Sequence, residues 1–222
     1  MAKYFECHAE SIRSKLQQKR FDRNGSRSVS DGGVSVLELG SGNGLLSVCM
    51  LAMARDLLSE LAVTDMDDHL ALIRKTFDEN KHIPQDNVLV MEHKWGVFSS
   101  DNNNNNNNNN NDDGDDPVSR ETQLARTDAM HDRVRTGTRT FDLILGSDVA
   151  YHEDLYDVLI ESLLRFSHSH TISLIGITMK DTKPEFFGKL IDAGFKYDRL
   201  ADHLIPTEFR GQIFGIFAIQ RA

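Results

Sequence analysis

Four residues in this sequence, Glu38, Gly40, Gly42 and Gly44, have a spacing that indicates a ligand-binding turn. Glycines let the chain reverse tightly, so that backbone N–H groups can approach a ligand. A dinucleotide fingerprint has the spacing Gly-x-Gly-x-x-Gly, whereas here the third glycine comes one residue early. An acidic residue at the start would repel a pyrophosphate and suits a ligand that carries an ammonium group. The alternative is a tight turn whose glycines merely permit close packing.

Three further residues are predicted at the exits of later strands. Asp65 ends a short apolar run, where doubly wound sheets use a carboxylate to bind ribose hydroxyls. The alternative for Asp65 is an ordinary aspartate in the turn before a helix. Met66 follows it and is placed to lie against one face of an adenine ring. Trp95 is the only tryptophan and is suited to stack near adenine, although capping the edge of the core is the commoner role of such a ring.

Asp148 and Tyr151 come at the end of a fourth apolar segment, FDLILGSD. The carboxyl ends of parallel strands meet at one edge of a sheet, so both residues are predicted to project beside the glycine turn. A carboxylate and a phenol at this place could orient a substrate. The alternatives are a loop or N-cap aspartate and an aromatic residue at the core edge.

A regular alternation of apolar runs and helical patterns predicts the elements that position these residues. Val34–Leu39 reads as a strand buried on both faces, and the mostly apolar segment after Gly44 reads as a helix pressed onto a sheet. Further strands are predicted over 61–65, 87–91, 141–148, 171–179, 196–205 and 211–221. Helices are predicted over 68–81, 154–166 and 184–193. The predicted fold is α/β, a doubly wound Rossmann-like seven-stranded sheet with an antiparallel C-terminal hairpin.

The predicted domain organisation has two parts. Residues 1–33 are predicted to form an N-terminal helix, over 8–21, and a serine- and glycine-rich linker. Residues 34–222 are predicted to form the main domain, interrupted by an insertion over 97–140. Ten consecutive asparagines at 102–111 have nothing to bury, so the insertion is predicted to be disordered, with a loose helix over 122–134.

Composition excludes several classes of function. The net charge of −9 argues against nucleic acid as a partner and is compatible with a basic protein partner. Cys7 and Cys49 do not make a disulfide framework, and the histidines are not spaced as metal ligands, so no metal site is expected. No apolar run is long enough to span a membrane, and the N-terminus has no signal-peptide core. The expected protein is a monomer with no membrane partner. Its expected compartment is the cytoplasm, with the nucleus as the alternative.

The combination of motifs resembles a known family. ELGSGNGLL, VTD, KWG and FDLILGSDVAY together are similar to methyltransferase family 16, the protein lysine methyltransferases among the class I, seven-strand S-adenosylmethionine-dependent enzymes. The glycine motif is shared by the whole superfamily, whereas its combination with Trp-Gly and Asp-x-x-Tyr is specific to this group. The resemblance implies S-adenosylmethionine as the cofactor and a lysine-presenting protein as the substrate. It implies Asp148 and Tyr151 as catalytic residues and a cofactor-binding set of Glu38, Gly40, Ser41, Gly42, Asn43, Gly44, Asp65, Met66, Trp95 and Asp148.

The residue type at position 148 bears on the substrate. Relatives that methylate amides or adenine N6 carry Asn-Pro-Pro-Tyr here, which suits a planar nitrogen that is never charged. This chain has Asp148 and no prolines in that segment, which favours a cationic amine. Because a carboxylate alone would raise the pKa of a lysine, Asp148 makes more sense as a group that positions the amine than as a strong base.

One departure from the family pattern concerns the N-terminus. Family members usually carry a segment with Val-Trp before the glycine motif that helps to close over the cofactor, and residues 1–33 contain no tryptophan. Tyr4 and Phe5, or Ile12 and Leu16, are the candidates to replace it. Two rival functions therefore stay open: methylation of a small molecule or another side chain, and a degenerate cofactor-binding protein that serves as an interaction module.

The asparagine-rich composition predicts that this segment is dispensable for folding, because it cannot support packing. A variant in which Ser99 is joined directly to Pro117 should keep a cooperative thermal transition, with its midpoint lowered by no more than about 4 °C. Circular dichroism during heating measures this midpoint. Loss of the folded state in the shortened chain would show that the segment contributes to the core.

Overall fold

A computed structural model describes residues 1–24, 32–99, 128–205, 207, 210 and 213–222. Its sheet has seven strands in the order β3-β2-β1-β4-β5-β7-β6. The strands are β1 (Val34–Leu39), β2 (Leu58–Asp65), β3 (Val88–Glu92), β4 (Phe141–Ser147), β5 (Ser167–Thr178), β6 (Phe195–Arg199) and β7 (Phe214–Arg221). The first five are parallel, and β7 lies antiparallel between β5 and β6. The predicted Rossmann-like sheet with an antiparallel C-terminal hairpin is confirmed.

Helices cover both faces of the sheet. They are α1 (Ala2–Cys7), α2 (Ala9–Asn24), α3 (Leu45–Ala54), α4 (Asp67–Glu79), α5 (128–136), α6 (Tyr156–Phe166) and α7 (Pro184–Asp192), with short 3-10 turns at Arg55–Leu57, Glu153–Leu155 and Asp202–Leu204. No described helix is long and apolar enough to cross a membrane.

Strand β1 is at the centre of the fold because its side chains enter both cores. All six of its residues are buried. Val34 and Val36 face a core with α1, α2, α3 and α4, whereas Leu37 and Leu39 face a core with α5, α6 and α7. The alternation of side chains along a strand produces this division. A mostly apolar strand is therefore what this position requires, and the two polar residues within it, Ser35 and Glu38, are both buried.

The ends of several elements differ from the sequence-based predictions. Strand β2 begins three residues earlier than predicted, at Leu58, and β5 begins four residues earlier, at Ser167. In contrast, β6 ends at Arg199, well before residue 205. Hydrogen bonding to a neighbour decides such boundaries, and β6 pairs with β7 only over five residues.

The C-terminal part of the predicted insertion belongs to the packed domain. Val134 on α5 is fully buried in the core against the second face of the sheet, and Met130 packs beside it. Ser99 donates its backbone N–H to the carbonyl of Arg135 at 3.1 Å. Residues 128–140 are thus not a solvated loop. The asparagine tract and the predicted disorder lie outside the described residues.

The N-terminal helices also join the main core. Phe5, Ile12 and Leu16 are buried among side chains of α3 and β1. Arg13 donates to both carboxylate oxygens of Asp56 and to the carbonyl of Met53. The two helices are therefore fastened to the rest of the domain, while most of the predicted linker, 25–31, lies outside the described residues.

A buried carboxylate ties β4 to β1 at the amino end of the sheet. Asp142 Oδ2 accepts hydrogen bonds from both the backbone N–H and the hydroxyl of Ser35, each at 2.8 Å. The Asp142 backbone N–H donates back to the Ser35 hydroxyl at 3.1 Å. Both residues are buried, so removing the acceptor would leave donors without a partner and without water.

Asp142→Ala should lower the free energy of unfolding by about 2–4 kcal/mol, because it leaves two buried donors of Ser35 unsatisfied. Urea denaturation followed by circular dichroism measures the loss. The control is Asp86→Ala, which breaks an exposed ion pair with Arg55 and should cost less than about 1 kcal/mol. Equal losses in the two variants would contradict a special role for the buried contact.

Candidate active site

The strand order reverses between β1 and β4, and the candidate site lies outside the carboxyl ends of these two strands. Beyond β1 the chain runs toward α3 and β2 on one side, and beyond β4 it runs toward α6 and β5 on the other. The two connections diverge, which leaves a crevice between them. Every predicted site residue is in β1, at the exits of β1, β2, β3 and β4, or in the turns that follow.

The glycine turn has the left-handed backbone that its sequence predicts. Gly40, Gly42 and Gly44 have φ angles of +62°, +59° and +76°, a region that side chains disfavour. Gly44 is the N-cap of α3, and its N–H donates to the carbonyl of Ser41 at 2.8 Å. Asn43 accepts at 3.1 Å from the N–H of Leu45 through its side chain. The turn thus sets the N-terminus of α3 at the crevice.

The space beside each glycine shows which one can face a ligand. A Cβ on Gly40 would lie 2.8 Å from Cζ2 of Trp95 and 3.0 Å from Cγ1 of Val149. A Cβ on Gly44 would meet Ile73 at 3.1 Å, whereas a Cβ on Gly42 would meet no atom within 4 Å. Gly40 and Gly44 therefore permit packing within the protein, and Gly42 borders open space that a ligand can fill.

Glu38 lies beneath the turn, and only 2% of its surface is exposed. Its carboxylate accepts a hydrogen bond from the hydroxyl of Ser47 on α3, and its carbonyl accepts from Thr64 at 2.7 Å. Burial raises the pKa of Glu38 to about 7, against the opposing effect of hydrogen bonds from Ser47 and Ser41. The residue therefore fastens the start of α3 to β1. Direct contact of Glu38 with a ligand stays a prediction.

Asp65 braces the same turn from the end of β2. One of its carboxylate oxygens accepts from the N–H of Gly42 at 2.6 Å, and the other accepts from the N–H of Met66 at 2.7 Å. His69 Nδ1 is 3.4 Å from the second oxygen. Each carboxylate oxygen has a further lone pair, which leaves capacity to bind ribose hydroxyls. The predicted ribose contact is untested, while the contact with Gly42 is a role that the sequence did not predict.

Ser41 and Met66 flank these contacts. The hydroxyl and the N–H of Ser41 both donate to the carbonyl of Thr64, each at 3.0 Å, so Ser41 joins the turn to β2. Met66 is the N-cap of α4 and is 44% exposed, with its side chain free to meet a ligand. Its place beside adenine remains a prediction, whereas Ser41 has a structural role in the turn.

Trp95 contacts the glycine turn directly, as the distance to Gly40 shows. The indole is partly buried against the core on the α6 side of the sheet. Next to it, Gly96 has a φ of +71°, and a Cβ there would lie 3.0 Å from Cβ of Val158 on α6. The loop after β3 is therefore pressed against α6, with Trp95 between that helix and the turn.

Asp148 and Tyr151 are exposed on the loop after β4. Asp148 has a φ of 60°, the one positive value found outside glycine among the described residues, and its N–H donates to the carbonyl of Gly176 at 2.8 Å. Tyr151 is 53% exposed. Neither side chain makes a hydrogen bond to the described part of the chain. Their neighbour Val149 contacts the Gly40 position, which places this loop beside the turn.

The segment after β5 holds the loop that carries Asp148 and Tyr151 in place. Thr182 donates its hydroxyl to the carbonyl of Ala150 at 2.6 Å, and Lys183 donates its N–H to the hydroxyl of Tyr156 at 2.9 Å. Lys183 also forms an ion pair with Glu153. The backbone that carries Asp148 and Tyr151 is therefore fixed on both sides while their side chains stay free.

Sequence reasoning missed three residues of this region. Ser47 contacts Glu38, and His93 and Ser162 contact each other at 3.2 Å behind Trp95. The available signal was a polar residue within an otherwise apolar helix at position 47 and a polar residue among the buried positions of α6 at position 162. Their partners are distant in sequence, so that signal alone does not name them.

The described residues fit the cofactor that the motif predicts. Gly42 borders open space, Met66 is exposed, and the carboxylate of Asp65 keeps lone pairs for further donors, so the turn can receive a ligand without a clash. No group of three or more potential metal ligands occurs within the described ranges.

A pH profile tests the buried position of Glu38. Because its pKa is about 7 in the fold and 4.5 ordinarily, the folded state keeps a proton that the unfolded chain loses between these values. This contribution to stability is fully present below about pH 4.5 and is lost as the pH rises through about 7, a fall of about 3 kcal/mol.

Glu38→Gln cannot titrate, so its free energy of unfolding should depend less on pH than that of the wild type. Urea denaturation at about pH 5 and about pH 8 measures the difference. Glu79→Gln, on the exposed side of α4, is the control and should keep the slope of the wild type. Equal slopes in all three proteins would contradict the prediction.

Comparison with known proteins agrees with the fold. Among solved structures, the ribosomal protein L11 methylase of Lactobacillus delbrueckii subsp. bulgaricus is 16% identical, covers 95% of this chain and 78% of its own, and has a TM-score of 0.50. The TehB-like SAM-dependent methyltransferase of Corynebacterium glutamicum is 13% identical, with coverages of 98% and 100% and a TM-score of 0.53. The glycopeptide N-methyltransferase MtfA is 13% identical, with coverages of 93% and 90% and a TM-score of 0.54.

Sequence comparison identifies the family. No curated protein matches the chain. A family model described as lysine methyltransferase matches residues 7–110 and 101–193, which together include every predicted site residue. The chain therefore belongs to the lysine methyltransferase family and is an S-adenosylmethionine-dependent methyltransferase.

Proposed function

We propose that this methyltransferase acts on a lysine side chain of a protein substrate. The observation that carries the proposal is the exposed pair Asp148 and Tyr151, which has no partner among the described residues and lies on the loop beside the glycine turn. A carboxylate and a phenol that are not used by the fold are available to a substrate. Their exposure suits a long side chain that enters from a second protein.

The chemistry of methyl transfer defines what these residues must do. S-adenosylmethionine supplies a methyl group on a positively charged sulfur. A lysine ammonium, with a pKa of about 10.4, must first lose a proton to solvent, because the attacking nitrogen needs a free lone pair. The new N–C bond then forms as the C–S bond breaks, and the electrons of that bond stay on sulfur. Placement of the amine in line with this bond is the main contribution that a protein can make.

Asp148 is suited to hold the amine in that position. A carboxylate accepts hydrogen bonds from the ammonium and from the neutral amine, so it can orient the nitrogen before and after deprotonation. The backbone of Asp148 is left-handed, and its N–H donates to the carbonyl of Gly176. Together these features fix the direction of the Cα–Cβ bond from which the carboxylate extends. Such a backbone costs about 1–3 kcal/mol for a residue other than glycine and is found preferentially at functional sites.

Two alternatives to methylation of a protein lysine stay open. One is a small molecule or another protein side chain, because the fold alone does not select the substrate. The other is a protein that binds the cofactor without turnover. The solved structures named above include a methylase of a ribosomal protein and an N-methyltransferase of a glycopeptide, so quite different acceptors are methylated on this fold.

Substitution of Asp148 tests the proposal. Wild-type protein and radioactive S-adenosylmethionine should label a protein band in a cell extract. Asp148→Ala should lower the labelling rate by about a hundredfold or more, while the Kd of the cofactor changes little, because only placement of the amine is lost. Asp148→Asn keeps the size of the side chain and removes only its charge. It should be nearly as damaging, because the charge is what attracts a cationic substrate.

Asp157→Asn is the matched control, because this exposed carboxylate is already bound to Lys189 at 2.6 Å, whereas the carboxylate of Asp148 has no partner among the described residues. It should label as the wild type does. Full activity in both Asp148 variants would remove the lysine proposal's main support. Cofactor binding by a wild type that labels nothing in any extract would favour the interaction module, whereas labelling of small molecules alone would favour the small-molecule alternative.

A further inference from the structure

One buried hydroxyl on α6 holds both ends of the short loop that carries Trp95. Ser162 Oγ accepts from the N–H of Gly96 at 2.9 Å, and it lies 3.2 Å from Nε2 of His93. It also lies 3.1 Å from the carbonyl of Val158, to which it donates. His93 and Gly96 flank Trp95 in sequence, so a single atom fixes the chain on each side of the indole.

The protonation of this cluster is settled by its partners. A hydroxyl has one hydrogen, and the Val158 carbonyl can only accept it. With its hydrogen donated to the Val158 carbonyl, Ser162 Oγ accepts from Gly96 and from Nε2 of His93. Burial lowers the pKa of His93 to about 4, so the ring is neutral at pH 7 and donates through that one nitrogen.

The rest of the loop is packed against the same helix. Gly96 lies against Val158, and the His93 ring contacts Phe98 and Phe166 with centroids 5.4 and 5.0 Å apart. The His93 N–H donates to the carbonyl of Asp65 at 2.9 Å, which joins the loop to the end of β2. The Trp95 indole extends from this anchored backbone onto Gly40.

We propose that Ser162 is a positioning residue that fixes the Trp95 indole against the glycine turn and so sets the affinity for the cofactor. The inference rests on the proposed function, because it takes Trp95 as one of the residues that contact bound S-adenosylmethionine. Ser162 does not touch the cofactor. It restricts the loop in advance, and an indole that is already in place costs less free energy to order when the ligand binds.

Trp95 is the only tryptophan, so its fluorescence reports on this loop alone. Without ligand, Ser162→Ala should make the indole more accessible to acrylamide and lower its fluorescence anisotropy. With S-adenosylhomocysteine as the probe, the Kd should rise by about tenfold. This is the effect expected when the loop loses the hydrogen bonds from Gly96 and His93 to Ser162 that hold Trp95 in place before the ligand binds.

Ser167→Ala is the matched control. Ser167 is also a buried serine, one residue beyond α6, and its hydroxyl has no hydrogen-bond partner among the described residues. This variant should keep the fluorescence and the Kd of the wild type. If Ser162→Ala does not fold, Ser162→Cys is used, since it fills the space with a weaker acceptor and should shift both quantities in the same direction by less.

The outcomes separate this inference from the proposed function. A folded Ser162 variant with wild-type Trp95 fluorescence and wild-type Kd, even with a lower melting temperature, would overturn the positioning role and leave the methyltransferase function intact. Failure of the wild type to bind S-adenosylhomocysteine would overturn the proposed function and, with it, the role of Ser162 in affinity.

Discussion

The left-handed backbone of the turn after β1 is the constraint on which the rest of the site depends. Three φ angles near +60° to +76° reverse the chain within a few residues and place the start of α3 at the crevice. Only glycine adopts them at little cost. The absence of a side chain at Gly40 also makes room for Trp95 and Val149, so the turn, the loop after β3 and the loop after β4 fit together because of one missing Cβ.

Buried polar contacts hold β1 at both of its ends. At the amino end, Ser35 is bound by Asp142 of β4, and at the carboxyl end Glu38 is bound by Ser47 of α3. An apolar strand can slide in register, whereas a buried carboxylate with specific donors cannot do so without losing them. The position of the glycine turn relative to β4 is therefore fixed by hydrogen bonds as well as by packing.

The two halves of the site differ in rigidity and exposure. On the side predicted to bind the cofactor, buried or half-buried residues are held by partners within the protein, such as Asp65 with Gly42 and Ser162 with Gly96, while Met66 is exposed. The side predicted to receive the substrate presents the exposed side chains of Asp148 and Tyr151 on a fixed backbone. This difference is what the proposed function requires, because a small cofactor is the same in every reaction whereas a protein substrate must enter from outside.

The sequence alone determined the sheet, the glycine turn and the ends of strands where the site lies, because apolar periodicity and the need for glycine are local properties. It did not determine that residues 128–140 pack into the core, since one buried valine, Val134, carries little signal beside an asparagine tract. The partners of Glu38 and Asp65, and the hold of Ser162 on the Trp95 loop, were decided by tertiary structure. Such contacts join residues far apart in sequence, and which donor meets which acceptor depends on how helices and strands pack.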